Sequence, residues 1–169
     1  MQWREEALTR RHDRSGFDCG VSALNEYLQR YARQNHESGG AKTFVAVPAE
    51  ESSAVLGYYT IRPGAIAFAF VPAVLSGKLG RYEVPVFRLG RLAVSRAVQG
   101  EGLGADLLLA AGARALAVAR QVGGVALAIN AKDEQAALWY QRFGALPLLD
   151  DPLKLVLPLE TIDATLRLR

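Results

Sequence analysis

The sequence predicts a mixed α/β domain of the α+β kind, and three observations predict it. Strand-like apolar runs crowd the first half of the chain with little helix between them. A single strand–helix–strand–helix–strand unit follows from residue 84. Between the first strand and helix of that unit lies a glycine loop, Gln99-Gly100-Glu101-Gly102-Leu103-Gly104. Antiparallel-looking strands followed by one alternating unit give a mixed sheet flanked by helices. At 169 residues the chain is long enough to bury its core as one domain, residues 1–169.

The elements follow in order. In "VSALNEYLQRYARQ" (21–34), Leu24, Tyr27, Leu28 and Tyr31 fall at helical spacing, with Asp18 or Ser22 as N-cap. Gly39-Gly40 closes that region. Residues 42–49, 54–64 and 65–72 read as three strands separated by turn signals. Residues 72–81 form a short helix or loop, and "VPVFRLGRLAVS" (84–95) is the longest strand. From Leu103 to Gln121 runs an Ala/Leu-rich helix whose Leu103, Leu107, Ala111 and Ala115 share a face. A buried strand over 123–130 precedes an amphipathic helix in "KDEQAALWYQRFG", which Gly144 stops. "LKLVLPLE" (153–160) closes the set as a strand.

Composition removes several function classes. Half the residues are apolar and 22% are charged, the balance of an ordinary globular protein. Cys19 is the only cysteine, which excludes an internal disulfide and a thiolate-built metal site. With only His12 and His36 besides, no metal is expected. The charged N-terminal stretch is unlike a signal peptide, and no apolar run approaches the ~18–20 residues of a membrane span. The expected location is cytoplasmic, with no membrane partner. Net charge is +3, and its distribution says more than its size. Residues 51–100 hold Arg62, Lys78, Arg81, Arg88, Arg91 and Arg96 against Glu51 and Glu83, while the flanking segments are balanced to within one charge. Coenzyme or RNA phosphates suit that excess, and scattered solvated arginines suit it equally.

The glycine loop points to an anion. Glycines allow backbone N–H groups to approach phosphate, and the helix dipole behind them favours negative charge. A Walker loop needs a Gly-Lys-Ser/Thr ending, which Gly104-Ala105-Asp106 lacks. Gly100-x-Gly102-x-x-Ala105 fits the dinucleotide fingerprint formally, but the next strand ends in Asn130 rather than an acid, and too little chain remains for the second half of that fold. The third form, Q/R-x-x-G-x-G/A, is met by Gln99, Gly102 and Gly104.

In that loop, and in the later helix "DEQAALWYQRFGA" with Asp133, Ala136, Trp139, Tyr140 and Gly144, the chain resembles the GNAT superfamily of N-acetyltransferases. It departs from the usual pattern at Asp133, where Asn is common, and at Ala145, where Phe is common. The blocks "FDCGVSALNEYLQRYARQ", "GYYTI", "VFRLGRLAV", "NAKDEQAALWY" and "LKLVLPL" together are similar to a narrower group, the acetyltransferase toxins of bacterial toxin–antitoxin pairs that acetylate aminoacyl-tRNA. The resemblance implies a strongly twisted mixed sheet whose parallel strands, 84–95 and 124–130, splay apart to admit the pantetheine of acetyl-CoA. On that template the coenzyme contacts Leu92, Ala93 and Val94, the loop Gln99, Gly100, Glu101, Gly102, Leu103 and Gly104, and then Asn130 and Asp133. The implied partners are aminoacyl-tRNA, a second copy in a homodimer, and a ribbon-helix-helix antitoxin.

Acetyl transfer needs a neutral amine, a polarised thioester carbonyl and a proton for the departing thiolate. Tyr140 is the candidate acid, its phenol having an ordinary pKa of about 10. A backbone N–H near Val94 is the candidate oxyanion donor. From Val84 to Val98 there is no Asp or Glu. A lysine amine near pKa ~10.4 needs a strong base, whereas an α-amine near ~7.7–8.0, lowered further by an adjacent ester, does not. The missing carboxylate therefore suits an α-amine acceptor, with Glu83 or a water relay as the alternative base. Arg81, Arg88 and Arg91 are candidate RNA-phosphate contacts, and Arg30 and Arg33 fit either RNA or a solvated face. Cys19 reads as a packing thiol, and Trp3 and Trp139 as packing groups. The rival readings are an acetyltransferase for a small amine or a protein N-terminus, and a non-catalytic acyl-CoA-binding module, against which Tyr140 stands.

Overall fold

The structure, a computed structural model, describes residues 2–50, 53–77 and 79–169. Glu51 and Lys78, two charges counted in the middle third, lie outside the described residues. The strands are β1 (Trp3–Ala7), β2 (Lys42–Pro48), β3 (Gly57–Ile66), β4 (Val84–Val94), β5 (Ala126–Asn130), β6 (Leu146–Pro147) and β7 (Lys154–Pro158). They hydrogen-bond in the order β1-β2-β3-β4-β5-β7-β6. The helices are α1 (Ser22–Glu26), α2 (Ala32–Ser38), α3 (Ala73–Ser76), α4 (Leu103–Val122), α5 (Glu134–Gln141) and α6 (Leu159–Arg167). The β1–β2 and β2–β3 pairs are antiparallel, β4 and β5 are parallel, and β7 is antiparallel to both β5 and β6. The sheet is mixed, as the element order predicts. Two compact units make up the fold, one of Met1–Arg62 with Gly90–Ala110, the other of Pro63–Leu89 with Ala111–Arg169.

In the first unit, Leu8, Phe17, Tyr27, Leu28, Val45, Val47 and Tyr58 form the core. Charged β1 is an edge strand in register Trp3↔Pro48 to Ala7↔Phe44, and its Glu6 binds Arg4 at 2.8 Å and His12 at 2.8 Å. Charged side chains blunt an exposed sheet edge, and they also hide the strand from a hydrophobic-period reading. Between α1 and α2 the chain makes a π-helical turn, Tyr27–Tyr31, closed by the Ala32 amide donating to Tyr27 O. A π turn uses one residue more than an α turn. Buried Tyr27 is therefore followed by buried Ala32, and Tyr31, which α spacing places inside, is 52% exposed. Neither expected N-cap serves. The cap position is Val21, without a side-chain bond, and Asp18 instead accepts from the Gly20 amide at 2.8 Å and from Asn25 at 3.0 Å.

In the second unit, Ile66, Val84, Val86, Ala126, Ala128 and Val156 form the core. β4 and β5 pair in register from Val86↔Ala126 to Leu89↔Ile129. β5 ends at Asn130, one residue past that register, while β4 continues to Val94. The two strands expected over 54–72 are one strand followed by a 3-10 turn, Phe68–Phe70. β3 passes through Pro63 because its ladder with β2 ends at Ile61, so the missing proline N–H forfeits no bond to β2. Leu103, Leu107, Ala111 and Ala115 of α4 are all buried, as their shared face requires. α6 was not anticipated. Its approach to α4 needs Gly112, where a Cβ would stand 2.7 Å from Ile162.

Candidate active site

The first unit builds an anion cradle from backbone. After β4, Ser95 caps a 3-10 turn, Arg96–Val98, and the Ser95 amide donates to Leu56 O at 2.8 Å. Gln99 then ties the loop to its base, its Nε2 donating to Val94 O at 2.9 Å and to Cys19 O at 3.0 Å. That side-chain nitrogen is committed to the loop itself. Gly100 and Gly102 adopt φ of +83° and +88°, in the left-handed region that favours glycine, and a Cβ on either would meet nothing within 4 Å. The space outside both glycines is open. Asp106 donates its amide to Gly102 O, and among the described residues the amides of Leu103, Gly104 and Ala105 find no acceptor. Buried Leu103 and Leu107 press α4 against Gly57, where a Cβ would stand 2.9 Å from Leu107 and 2.8 Å from Ala93 O. The packing holds the free amides in place. Leu92 and Val94 are half-buried, Ala93 is buried and Glu101 is exposed.

Cys19 is buried, its Sγ 3.6 Å from Val21 O and its amide donating to Asn25, which is a structural setting for a thiol. Arg91 lies over the ring of Tyr27, 3.4 Å from the centroid. Beside it opens a pocket of about 340 Å³, lined by Glu26, Tyr31 and Asn35 among others.

The second unit supplies the candidate acid. Asp133 caps α5, its Oδ1 accepting from the Ala136 amide at 2.8 Å. The departure from Asn at this position thus keeps a capping acceptor. Two turns on, Tyr140 is half-buried, with Trp139 edge-on at 5.0 Å and Trp139 in turn against Phe143 at 4.8 Å. Desolvation pushes the Tyr140 phenol up to about 12. Among the described residues its hydroxyl makes no hydrogen bond. It is a neutral, uncommitted O–H donor at physiological pH. Asn130 is exposed at the end of β5. Arg81 is exposed, whereas Arg88 is half-buried and donates to Ala65 O at 2.7 Å. A pocket of about 260 Å³ beside Arg88 and Asn130 is bordered by Phe70, Leu148 and Lys154. No sequence period marks Leu148, and Phe70, which the sequence places in a strand over 65–72, stands in the 3-10 turn instead. Among the described residues no group of three His, Cys, Asp or Glu side chains could hold a metal ion, and no helix is long and apolar enough to cross a membrane.

Residues 6–145 match the sequence model of the Acetyltransferase (GNAT) family. A tRNA-acetylating toxin of Mycobacterium tuberculosis (strain ATCC 25618 / H37Rv) is 34% identical over 145 residues, which are 86% of this chain and 85% of that protein. Among solved structures, AtaT complexed with acetyl-methionyl-tRNAfMet is similar with a TM-score of 0.90 at 28% identity, over 98% of this chain and 99% of that one. AtaTR bound with acetyl-CoA is similar with a TM-score of 0.83 at 27% identity, over 98% of each chain. A match that takes in the glycine loop, the parallel strand pair and Tyr140 makes this chain a member of the GNAT family of acetyltransferases.

Proposed function

We propose that this acetyltransferase moves the acetyl group of acetyl-CoA onto the α-amino nitrogen of aminoacyl-tRNA, and so acts as a translation-blocking toxin. The observation that carries the choice of acceptor is the strand before the loop. From Val84 to Val98 no side chain can act as a carboxylate base, which suits an acceptor nitrogen that is largely neutral on its own, as an ester-bearing α-amine is. The similarity to a tRNA-acetylating toxin supports the same acceptor.

Acetyl-CoA supplies the activated thioester. The open left-handed glycines and the free amides of Leu103, Gly104 and Ala105 fit its pyrophosphate. Past Leu89 β4 no longer pairs with β5, and its half-buried Leu92 and Val94 suit the pantetheine as an added strand, with Ala93 buried between them. Gln99 holds the loop, Gly100, Glu101 and Gly102 shape it, Asn130 ends β5, and Asp133 caps the helix that carries the acid. The nitrogen lone pair forms the new C–N bond as the C–S bond breaks. Tyr140 gives its proton to the departing sulfur and is reprotonated with the proton the nitrogen loses, so one proton passes from N to S overall. A phenol held near 12 stays protonated throughout the physiological range.

Within the same reading the chain works as one catalytic domain, residues 1–169, in the cytoplasm, as a homodimer held inactive by a ribbon-helix-helix antitoxin. Solved complexes of AtaT with the C-terminus of the antitoxin AtaR and of KacTA with DNA support an antitoxin partner. Of the three candidate arginines Arg81 is the exposed one, while Arg88 and Arg91 are braced against Ala65 and Tyr27. The test is incubation with labelled acetyl-CoA and either charged tRNA, deacylated tRNA or a lysine-bearing peptide. Label is expected on charged tRNA alone and should leave with the amino acid on mild alkaline hydrolysis. Labelling of the peptide with none on charged tRNA overturns the choice of acceptor and leaves the acetyltransferase intact.

A further inference from the structure

We infer that the cavity before β5, between α4 and α6 of the second unit, is a binding site for an amphipathic primary amine, an ammonium group carried on a short alkyl or arylalkyl chain. It borders Val125, at the end of the parallel β4–β5 pair opposite Asn130, and the inference is independent of the acceptor proposed above.

Size and wall are the first support. The cavity holds about 390 Å³, within the ~300–1,000 Å³ usual for small-molecule sites. Leu75, Leu79, Leu116 and Leu159 give it an apolar wall, with Val125 among them. Leu75, Leu79 and Val125 also pack on the core of the second unit, so the wall continues that core. Both main-chain groups of Val125 are satisfied, its amide donating to Pro85 O and its carbonyl accepting from the Leu159 amide, each at 3.0 Å. Ala119 and Gly124 are small and leave the space open. A wall of this kind holds an apolar chain through the area it removes from water.

The charge pattern sets the head group. Arg120 borders the cavity 3.6 Å from Asp163, and Asp163 also pairs with Arg167 at 3.0 Å. Glu160 borders it too, and among the described residues no cation pairs with that carboxylate. It stands in the first turn of α6, where the helix dipole favours its negative charge. The carbonyl end of α4, which finishes at Val122, adds partial negative charge beyond Ala119 and Arg120. One uncommitted carboxylate beside an apolar wall complements one ammonium on an apolar chain. An anionic head group would meet Glu160 and Asp163 against a single arginine that Asp163 already engages.

The experiment titrates the protein, without acetyl-CoA, with octylammonium, octanol and octanoate, and follows the Val125 and Leu159 amides by NMR. Octylammonium should shift both amides and bind about tenfold more tightly than octanoate, the scale of one charge-assisted contact, with octanol between them. Glu160→Gln should bring the three affinities close together, chiefly by weakening octylammonium. Ala119→Leu keeps a good helix former, fills the cavity and should abolish binding of all three. Val74→Trp reaches over the cavity from an exposed position and serves if the first variant folds poorly. No shift from octylammonium at millimolar concentration, or shifts that both filling variants leave unchanged, overturns the site. A preference for octanoate, or an ammonium preference that Glu160→Gln leaves intact, overturns the assignment of an amine to this carboxylate. Failure of octylammonium to bind, with a dimer that Val74→Trp splits in sedimentation, assigns the cavity to a second copy and overturns the ligand.

Discussion

The glycine loop and the Tyr140 helix solve different problems with different parts of the chain. At the loop the working groups are main-chain amides, and side chains serve as scaffolding. Gln99 braces the turn from within and Leu103 with Leu107 clamps the helix behind it. At α5 the backbone is the scaffold, capped by Asp133, and one side-chain hydroxyl is left without a partner. The comparison teaches where substitutions should act. Changes at the loop should act on coenzyme affinity, and changes at Tyr140 on turnover.

The sharpest test of that division is Tyr140→Phe. It removes one hydroxyl and keeps the ring against Trp139, so acetyl-CoA affinity should stay within a factor of two while kcat falls by ~10²–10⁴. A large loss of affinity with near-normal kcat would reverse the roles of the two regions. Next in size is Gly102→Ala. Its Cβ meets no protein atom, so the fold bears only left-handed strain of about 1–2 kcal/mol. Any Cβ in the path of the pyrophosphate should nevertheless raise the acetyl-CoA Kd at least tenfold in calorimetry. Gly39→Ala is the control, since φ there is +85° with equally empty surroundings. It should show the same loss of thermal stability with an unchanged Kd.

Smaller effects sharpen the scaffolding side. Asp133→Ala should cost about 0.5–2 kcal/mol by removing the cap of α5, and Asp133→Asn should recover most of it. A chemical denaturation curve reads both. If Asp133→Asn instead changes coenzyme affinity with no effect on stability, the carboxylate serves the ligand and the cap is incidental. Smallest is a pH effect at Glu6 of β1. Its hydrogen bond from His12, then those from Arg4 and Arg11, hold its carboxyl at about 2 against an ordinary 4.5. A depressed folded-state pKa contributes stability above 4.5 that is lost as pH falls from 4.5 through about 2. Wild type should therefore exceed Glu6→Gln in stability at pH 6, and the gap should close by pH 2. A gap constant across that range would mean the network acts through shape alone.

Much of the fold was legible because its signals are local. The α4 face, the β4 and β5 runs and the glycine loop follow from period and spacing in consecutive residues. The misses have nonlocal causes. Tyr31 is exposed because a π turn shifts the helical phase, and the π turn leaves no mark in composition. β3 survives Pro63 because its β2 ladder ends two residues earlier, a fact of register rather than propensity. Trp3–Ala7 is a strand because β2 offers an edge, although its own residues are mostly charged. At the site, the glycine geometry matches what the spacing implies. That Gln99 braces the loop, and that Asp133 is a cap, depends on acceptors up to 80 residues away or on a helix end fixed only in three dimensions. The pocket at Arg88 draws on β3, β4, β5, β7 and two irregular segments, so no single stretch could announce it.

The central claim is that an acetyl group reaches the α-nitrogen of an amino acid esterified to tRNA. The most direct measurement is mass spectrometry of the terminal adenosine released by ribonuclease from charged tRNA after incubation with the enzyme and acetyl-CoA. The account predicts N-acetylaminoacyl-adenosine with wild type and little with Tyr140→Phe. Unmodified aminoacyl-adenosine in the presence of rapid release of free coenzyme A, or an acetyl group found on ribose or base, would contradict it.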